Sequence, residues 1–373
     1  MNLTSKKKAR RVLGLAAAFA VVLAACGGDD DAADEAPAVT AAEEVELSSS
    51  DGGILAAVQE RGVLRCGVST GAAVAFSFTA ADGSMNGIDA DYCRAVAAAV
   101  LGDATAVEFV SLTAAERFTA VQTGSVDVLM RNSTWTQSRD TDVGMDFGPT
   151  TYFDGQQLMA RAADGFTTSS QVSDVDGAVV CTNAGTTTET NISELASVLG
   201  IKITLTTFED YDQVTEAFIA GTCDVITTDG SGLVGRKSVQ EPSKDAWVIF
   251  PATPFSKEPL GPVYAQNDSQ WADVVNWTVY ATFIADEYGV GSDEVSAAAA
   301  GDFGPEMVRL MGGEGELQTV MGLSATAFAD VITQVGNYQQ IWDRNLTPVG
   351  LVREGSANAL WNKGGLLYAP PAR

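Results

Sequence analysis

No histidine occurs among the 373 residues of this chain. Its absence excludes Ser-His-Asp and Cys-His nucleophilic machinery, His-ligated zinc and the commonest proton shuttle near neutral pH. Beyond residue 25 there is also no Ser-x-x-Lys signature, so an enzyme on this chain would have to use carboxylates or lysine. Positive charge is scarce: 22 Lys and Arg face 48 Asp and Glu, a formal net charge of −26. Without clustered cations to neutralise phosphates, nucleic-acid binding is excluded. The acidity accounts for solubility and identifies no ligand. Only five cysteines occur, none in a Cys-x-x-Cys pair, which argues against metal ligation. The residues call for no metal and no cofactor. The one long run without polar residues near the N-terminus, Val12 to Ala25, has 14 residues, and a bilayer-spanning helix needs about 20.

That run has a different meaning. Residues 5–11 (SKKKARR) carry five positive charges, the apolar run follows, and Leu23-Ala24-Ala25-Cys26 closes it. Basic start, short apolar middle and small-residue end are the order of a secretory signal peptide, expected over 1–25. Cysteine directly after the small residues resembles the lipobox of bacterial lipoproteins, in which the thiol receives diacylglycerol. The expectation is an exported chain, lipid-anchored through Cys26 to the outer face of a bacterial cell membrane, in the periplasm or at the cell surface. Removing the five basic residues leaves 17 against 48 acidic ones, a net charge of −31. Residues 27–50 (GGDDDAADEAPAVTAAEEVELSSS) are small and acidic without aromatics, so 26–52 is expected to be a flexible stalk. From Gly53 onward the composition is globular. The roughly 320 residues that remain exceed what one core usually holds, which predicts two lobes.

After Cys26 the cysteines are Cys66, Cys93, Cys181 and Cys223. An even number in an exported chain points to disulfides. Of the three connectivities, Cys66–Cys93 with Cys181–Cys223 keeps each bridge within one predicted lobe.

The apolar pattern is that of an α/β protein. Strands are predicted at 63–68, 108–112 and 126–130, with helices at 89–101 and from the capping box Thr113-Ala114-Ala115-Glu116 to about Gly124. The grammar repeats: strands at 178–182, 203–208 and 224–228, helices at 189–199 and 211–220. Ala120 to Val128 (AVQTGSVDV) and Ala217 to Val225 (AFIAGTCDV) share A-x-x-x-G-x-x-D-V. In that alignment Asn132 corresponds to Asp229, at equivalent strand ends in two lobes, where ligands of parallel sheets bind. After the proline-containing stretch at 250–264 the chain becomes helical, with a helix predicted at 273–288. It is expected to return to the first lobe, crossing the hinge twice: 53–158 with 256–373 as one lobe and 159–255 as the other.

A zwitterionic amino acid asks for a guanidinium with hydroxyl or amide donors at one end and a carboxylate at the other. Arg131-Asn132-Ser133-Thr134-Trp135-Thr136-Gln137-Ser138-Arg139 supplies the first set just after a strand. Asp229, within Thr227-Thr228-Asp229-Gly230-Ser231-Gly232, supplies the second. Gly185-Thr186-Thr187-Thr188 opens a helix, where free backbone N–H groups converge on an anion.

These segments, with NGIDADYCRAV at 86–96, AGTTTE at 184–189, VGNY at 335–338 and the ending LWNKGGLLYAPPAR, resemble family 3 extracellular solute-binding proteins of amino-acid ABC transporters, in their general L-amino-acid-binding branch. The resemblance covers nearly everything from Val63 to Arg373. It implies a two-lobed periplasmic-binding-protein-like fold of type II, with a parallel-type sheet and flanking helices in each lobe and a double-crossover hinge. It also implies a monomeric receptor, not an enzyme, that closes on an L-amino acid and delivers it to permease subunits. Arg139 would clamp the α-carboxylate with Asn132, Thr134, Thr186 and Thr187; Asp229 would take the ammonium and Phe76 would cover the side chain. The loop before Phe76 lacks a proline common in relatives. An enzyme on the same fold, of cyclohexadienyl dehydratase type, is the alternative and would need an acid–base group beside the carboxylate site.

Overall fold

The computed structural model describes residues 53–69, 74–240, 246–313 and 317–373. The signal segment, Cys26 and the acidic stalk lie outside them. Two mixed sheets organise the described chain. The first contains β1 (Leu64–Ser69), β4 (Val107–Leu112), β5 (Val128–Thr134), β6 (Met145–Phe147), β7 (Tyr152–Asp154) and β13 (Glu258–Ala265), while β2 (Phe78–Thr79) and β3 (Met85–Asn86) form a separate ribbon. Its order is β4-β1-β5-β13-β6, with β7 also paired to β13. The strands β4, β1 and β5 run parallel, and β13 is antiparallel to its neighbours. The second sheet has the order β10-β9-β11-β8-β12. It is built from β8 (Gln156–Arg161), β9 (Val179–Asn183), β10 (Thr204–Phe208), β11 (Val225–Asp229) and β12 (Trp247–Phe250). Here too three strands are parallel, and β8 runs against β11 and β12. Each sheet is the core of one lobe.

Helices α1 (Gly53–Arg61), α2 (Ile88–Leu101), α3 (Arg117–Gln122) and α4 (Gln137–Thr141) accompany the first sheet, and α5 (Thr187–Leu199), α6 (Tyr211–Ile219) and α7 (Gly230–Val239) the second. The alanines of α2 let it sit apolar on nearly every side among buried neighbours. It stops where Gly102, at φ 73°, closes back on Ala98. After β13 the chain enters α8 (Ser269–Glu287), and short helices between Val295 and Asn345 pack with α2 and α8 into the larger apolar cluster. Predicted strands and helices of the two repeats all form, with ends shifted by at most four residues. The Thr113–Glu116 box also forms, with Glu116 N–H donating to Thr113 Oγ1 and Thr113 donating to the Glu116 carboxylate. It closes a turn ahead of the regular helix, which begins at Arg117.

The shared A-x-x-x-G-x-x-D-V pattern has a common physical cause in both lobes. Gly124 and Gly221 take φ of 67° and 77° just past α3 and α6. Ser125 N–H then donates to Ala120 O, and Thr222 N–H to Ala217 O. Asp127 accepts from the Arg65 N–H at 2.7 Å and Asp224 from the Val179 N–H at 2.8 Å, so each aspartate pins the start of the neighbouring parallel strand.

The disulfides join Cys66 of β1 to Cys93 of α2, and Cys181 of β9 to Cys223 just before β11. Both predicted pairings are present, one per lobe. The chain changes sheets at Gly155, between β7 and β8, three residues ahead of the 158 boundary expected from the sequence, and returns between Phe250 and Glu258. The two crossings lie against each other. A Cβ on Gly155 would come within 2.5 Å of Pro254 Cβ and 2.7 Å of Ser256 O, so only glycine fits there.

Candidate functional site

The carboxyl ends of β5, β9 and β11 and the N-termini of α5 and α7 meet around a narrow cavity of about 30 Å³ between the two sheets. Arg117, Arg131, Asn132, Thr134 and Arg139 come to it from the first lobe, Thr186, Thr187, Tyr211 and Asp229 from the second. Four of the lining residues have a buried polar atom without a hydrogen-bond partner: Arg117 Nε, Asn132 Oδ1, Tyr211 Oη and Asp229 Oδ1. Each such atom costs roughly 1–3 kcal/mol when left unsatisfied, so their convergence makes this cavity the candidate ligand site. A wider groove of about 830 Å³ runs past Asp91, Arg94 and Arg344. Its charges are tied to one another, since Asp91 accepts from Arg94 at 3.0 Å and from Arg344 at 2.7 Å. It lacks the unsatisfied atoms of the inner cavity.

Local structure aims each group. Thr134 ends β5, and Thr136 caps α4 by accepting from the Arg139 N–H. The turn between them brings Arg139 back over the strand, where its Nη1 donates to Thr134 O at 2.8 Å. Asn132 adopts φ 32°, a left-handed backbone that asparagine tolerates, and its N–H donates to Asp89 at 2.8 Å. In the second lobe Thr186 caps α5, accepting from Glu189 N–H, which leaves the helix's first N–H groups at the cavity edge. Asp229 closes β11 at the start of α7 and makes no side-chain cap bond.

The lobes touch directly. Glu258, on β13, accepts from Thr134 of its own lobe at 2.6 Å and from Thr187 and Asn191 of the other at 3.0 and 2.8 Å. Arg117 Nη2 reaches Gly185 O at 3.4 Å, and Ser231 of α7 donates to Asp154 at the crossover. These contacts describe lobes drawn together.

Burial and charge set the protonation tendencies. Burial, then the nearby Asp154 and Glu258 carboxylates, push Asp229 well above the usual carboxylate range, while Arg139 and Arg117 pull it back. Asp154 is raised to about 6, by burial against its bonds from Ser231 and Gly155. Burial also lowers Arg139, with Glu258 and Asp229 opposing, and takes Arg131 down to about 10.

Of the residues expected from sequence, Asn132, Thr134, Arg139, Thr186, Thr187 and Asp229 are brought to this one cavity. Phe76 is not in its lining; it is buried edge-on against Tyr152, ring centroids 5.2 Å apart. Trp135 stacks on Phe147 at 5.9 Å, a packing role. Sequence reasoning missed Arg117, Arg131 as a lining residue, Tyr211 and Glu258. Arg117 was legible only as a residue within a predicted helix, and Glu258 was hidden in an apolar, proline-containing stretch to which no strand was assigned. Among the described residues no cluster of metal-ligating side chains occurs and no helix is long and apolar enough to cross a membrane.

Residues 64–280 match the bacterial extracellular solute-binding proteins, family 3. The chain is 42% identical over 326 residues to a putative amino-acid ABC transporter-binding protein, YhdW, of Escherichia coli, covering 86% of this chain and 93% of that one. It is 42% identical over 335 residues to the general L-amino acid-binding periplasmic protein AapJ of Rhizobium johnstonii, covering 88% and 95%. A solved periplasmic binding protein of an ABC transporter from Brucella ovis, with glutathione bound, superposes with a TM-score of 0.81 at 41% identity, covering 86% of this chain and 99% of the other.

Proposed function

This chain belongs to the bacterial extracellular solute-binding proteins of family 3, and from that premise we propose that it is an extracytoplasmic receptor which binds L-amino acids and delivers them to an ABC import permease. One observation carries the reading: a buried guanidinium, Arg139 of α4 just past β5, and a buried carboxylate, Asp229 at the end of β11, come from different lobes to line one cavity. The α-carboxylate pairs with Arg139, and with the hydroxyls of Thr134, Thr186 and Thr187. Its ammonium pairs with Asp229, and Asn132 Oδ1 offers a further acceptor. Phe76, expected to cover the ligand's side chain, packs against Tyr152 outside the cavity lining and takes no part in this pairing. A cavity of about 30 Å³ holds one or two waters and no amino acid, so the lobes part to admit the ligand and close over it. Glu258 and Gly155 sit where that motion bends the chain. The two lobes are taken as 53–154 with 258–373 and 156–250, joined by the crossings at Gly155 and between Phe250 and Glu258.

No chemistry follows binding. An enzyme here would need a proton donor or base free to cycle beside the carboxylate subsite; Glu258, which accepts from Thr134 and Thr187 there, is held also by Asn191 and Ser256. The closed form presents both lobes to the permease, and the receptor acts as a monomer tethered by lipid on Cys26.

Calorimetric titration with the twenty amino acids tests the receptor reading: saturable binding of several is expected, and no heat with any of them contradicts it. For the tether, Cys26→Ser is expected to move the protein from the membrane to the soluble exported fraction; unchanged membrane association contradicts the anchor.

A further inference from the structure

Glu258 is 1% exposed, and among the described residues no lysine or arginine lies within 4.0 Å of its carboxylate. Its charge rests on four neutral donors instead. One oxygen accepts from Ser256 at 2.7 Å and Asn191 at 2.8 Å, and the other from Thr134 at 2.6 Å and Thr187 at 3.0 Å. Thr134 closes β5 in the first lobe, while Thr187 and Asn191 belong to the first two turns of α5 in the second. One buried anion is thus gripped by both lobes.

Chemistry fixes the direction of two of these bonds. An ionised carboxylate only accepts, and a threonine hydroxyl has a single hydrogen. Thr134 and Thr187 therefore point their hydrogens at Glu258. Both residues line the cavity, and both hydroxyls belong to the subsite assigned to the α-carboxylate. Thr186, the third, gives its hydrogen to Asn183 O at 2.7 Å. What these threonines offer the cavity is lone pairs, and a ligand carboxylate, itself an acceptor, finds no hydrogen among them. Glu258 also serves the guanidinium of that subsite: it is the foremost carboxylate offsetting the burial of Arg139, ahead of Asp229. Hydroxyls and guanidinium already have an anion of the protein's own.

We propose that Glu258 is an internal surrogate for the ligand's α-carboxylate: it holds the hydrogens of Thr134 and Thr187, and an entering amino acid draws both away before its own carboxylate is fully gripped. This inference rests on the amino-acid receptor reading above. Surrogacy keeps the donors paired and lowers affinity by the strength of the bonds exchanged. The rival role is that of a strut, with Glu258 holding Thr134 and Thr187 where the ligand needs them.

Glu258→Gln separates the two roles, because the amide is nearly isosteric with the carboxylate. Asn191, a donor, keeps the amide oxygen on its own side, so the new NH2 donates to Thr134 and Thr187 and turns their hydrogens to the cavity. Calorimetry compares wild type and variant with the twenty amino acids and, for the tightest of them, with its α-carboxamide, which has no carboxylate. The variant is expected to bind amino acids about tenfold more tightly than wild type, and the carboxamide within about threefold of it. A gain confined to ligands with a carboxylate does not arise from a damaged fold. Unchanged or weaker binding of amino acids by the folded variant, or an equal gain for the carboxamide, overturns the inference and leaves the receptor reading intact. If Glu258→Gln does not fold, Glu258→Asp, one methylene short of the threonines, is held to the same prediction. Failure of wild type to bind any of the twenty sinks the receptor reading itself.

Discussion

In the first lobe α3 ends at Gly124, Asp127 grips the neighbouring strand, and β5 runs on to Asn132; in the second α6 ends at Gly221, Asp224 does the same, and β11 runs on to Asp229. Backbone plan and hydrogen bonds correspond. The residue five positions past the aspartate does not. The first lobe carries an amide there, two residues before β5 ends at Thr134, with Arg117, Arg131 and Arg139 around it; the second ends its strand on a carboxylate with threonines around it. What the lobes share is fixed by helix capping and strand pairing, and needs only glycine, aspartate and apolar spacing. What they do not share is the charge offered to a ligand, which gives the cleft a cationic side and an anionic side.

The largest expected effect concerns what the lobes have in common, a bridge each. The linked residues are 27 and 42 apart in sequence. On the chain-entropy estimate each bridge contributes about 3.5–4 kcal/mol. Cys223→Ser should lower the denaturant midpoint of the second lobe ahead of the first, and Cys93→Ser should reverse that order, as followed by lobe-specific hydrogen exchange. Equal loss in both lobes from either variant would break the idea that each lobe has its own staple.

A smaller effect distinguishes the anionic side. Asp154 is raised to about 6 and Asp229 is raised well above its ordinary value, both chiefly by burial. An arriving ammonium favours the ionised form of Asp229 and so opposes the rise that burial causes. Binding should release protons, and affinity should fall as pH drops through about 6. Weakening of about tenfold between pH 7 and pH 5 is expected, the equivalent of one pKa unit. Calorimetry in buffers of different ionisation enthalpy measures the released proton directly, and a dissociation constant flat across that range contradicts the assignment.

The smallest effect is on stability. A carboxyl raised above its unfolded value binds its proton more tightly when folded, so it favours folding less and less as pH rises from about 4 through the raised value. Asp229→Asn removes that burden. Ligand-free Asp229→Asn should melt about 2 °C above wild type at pH 8, corresponding to about 1 kcal/mol, and show no advantage at pH 4. A lower melting temperature at pH 8 would mean that Asp229 holds the fold together rather than serving a ligand.

The parallel strands and the helices between them were legible in the sequence because each is local: apolar spacing, a cap and a glycine stop. The antiparallel strands were not. β13 contains Pro259, Gly261 and Pro262, residues that argue against a strand interior, and it tolerates them because its pairing with β5 shifts register between Gly261 and Val263. The chemistry of a zwitterion made three segments of the site legible, and the resemblance to the family singled out six residues within them. Arg117 and Glu258 were not among them, since a lone arginine at a helix start and a lone glutamate before a proline acquire meaning only when distant segments meet.

The central claim is that one ligand spans both sides of the cleft, with Asp229 facing its ammonium. A thermodynamic cycle tests it: calorimetry of wild type and Asp229→Ala with an amino acid and with the hydroxy acid that lacks only its ammonium. Loss of the ammonium should cost wild type about a hundredfold in affinity and Asp229→Ala almost nothing, a coupling of about 3 kcal/mol. If the two losses simply multiply, the ammonium is held elsewhere and the division of charge between the lobes does not describe how the ligand is bound.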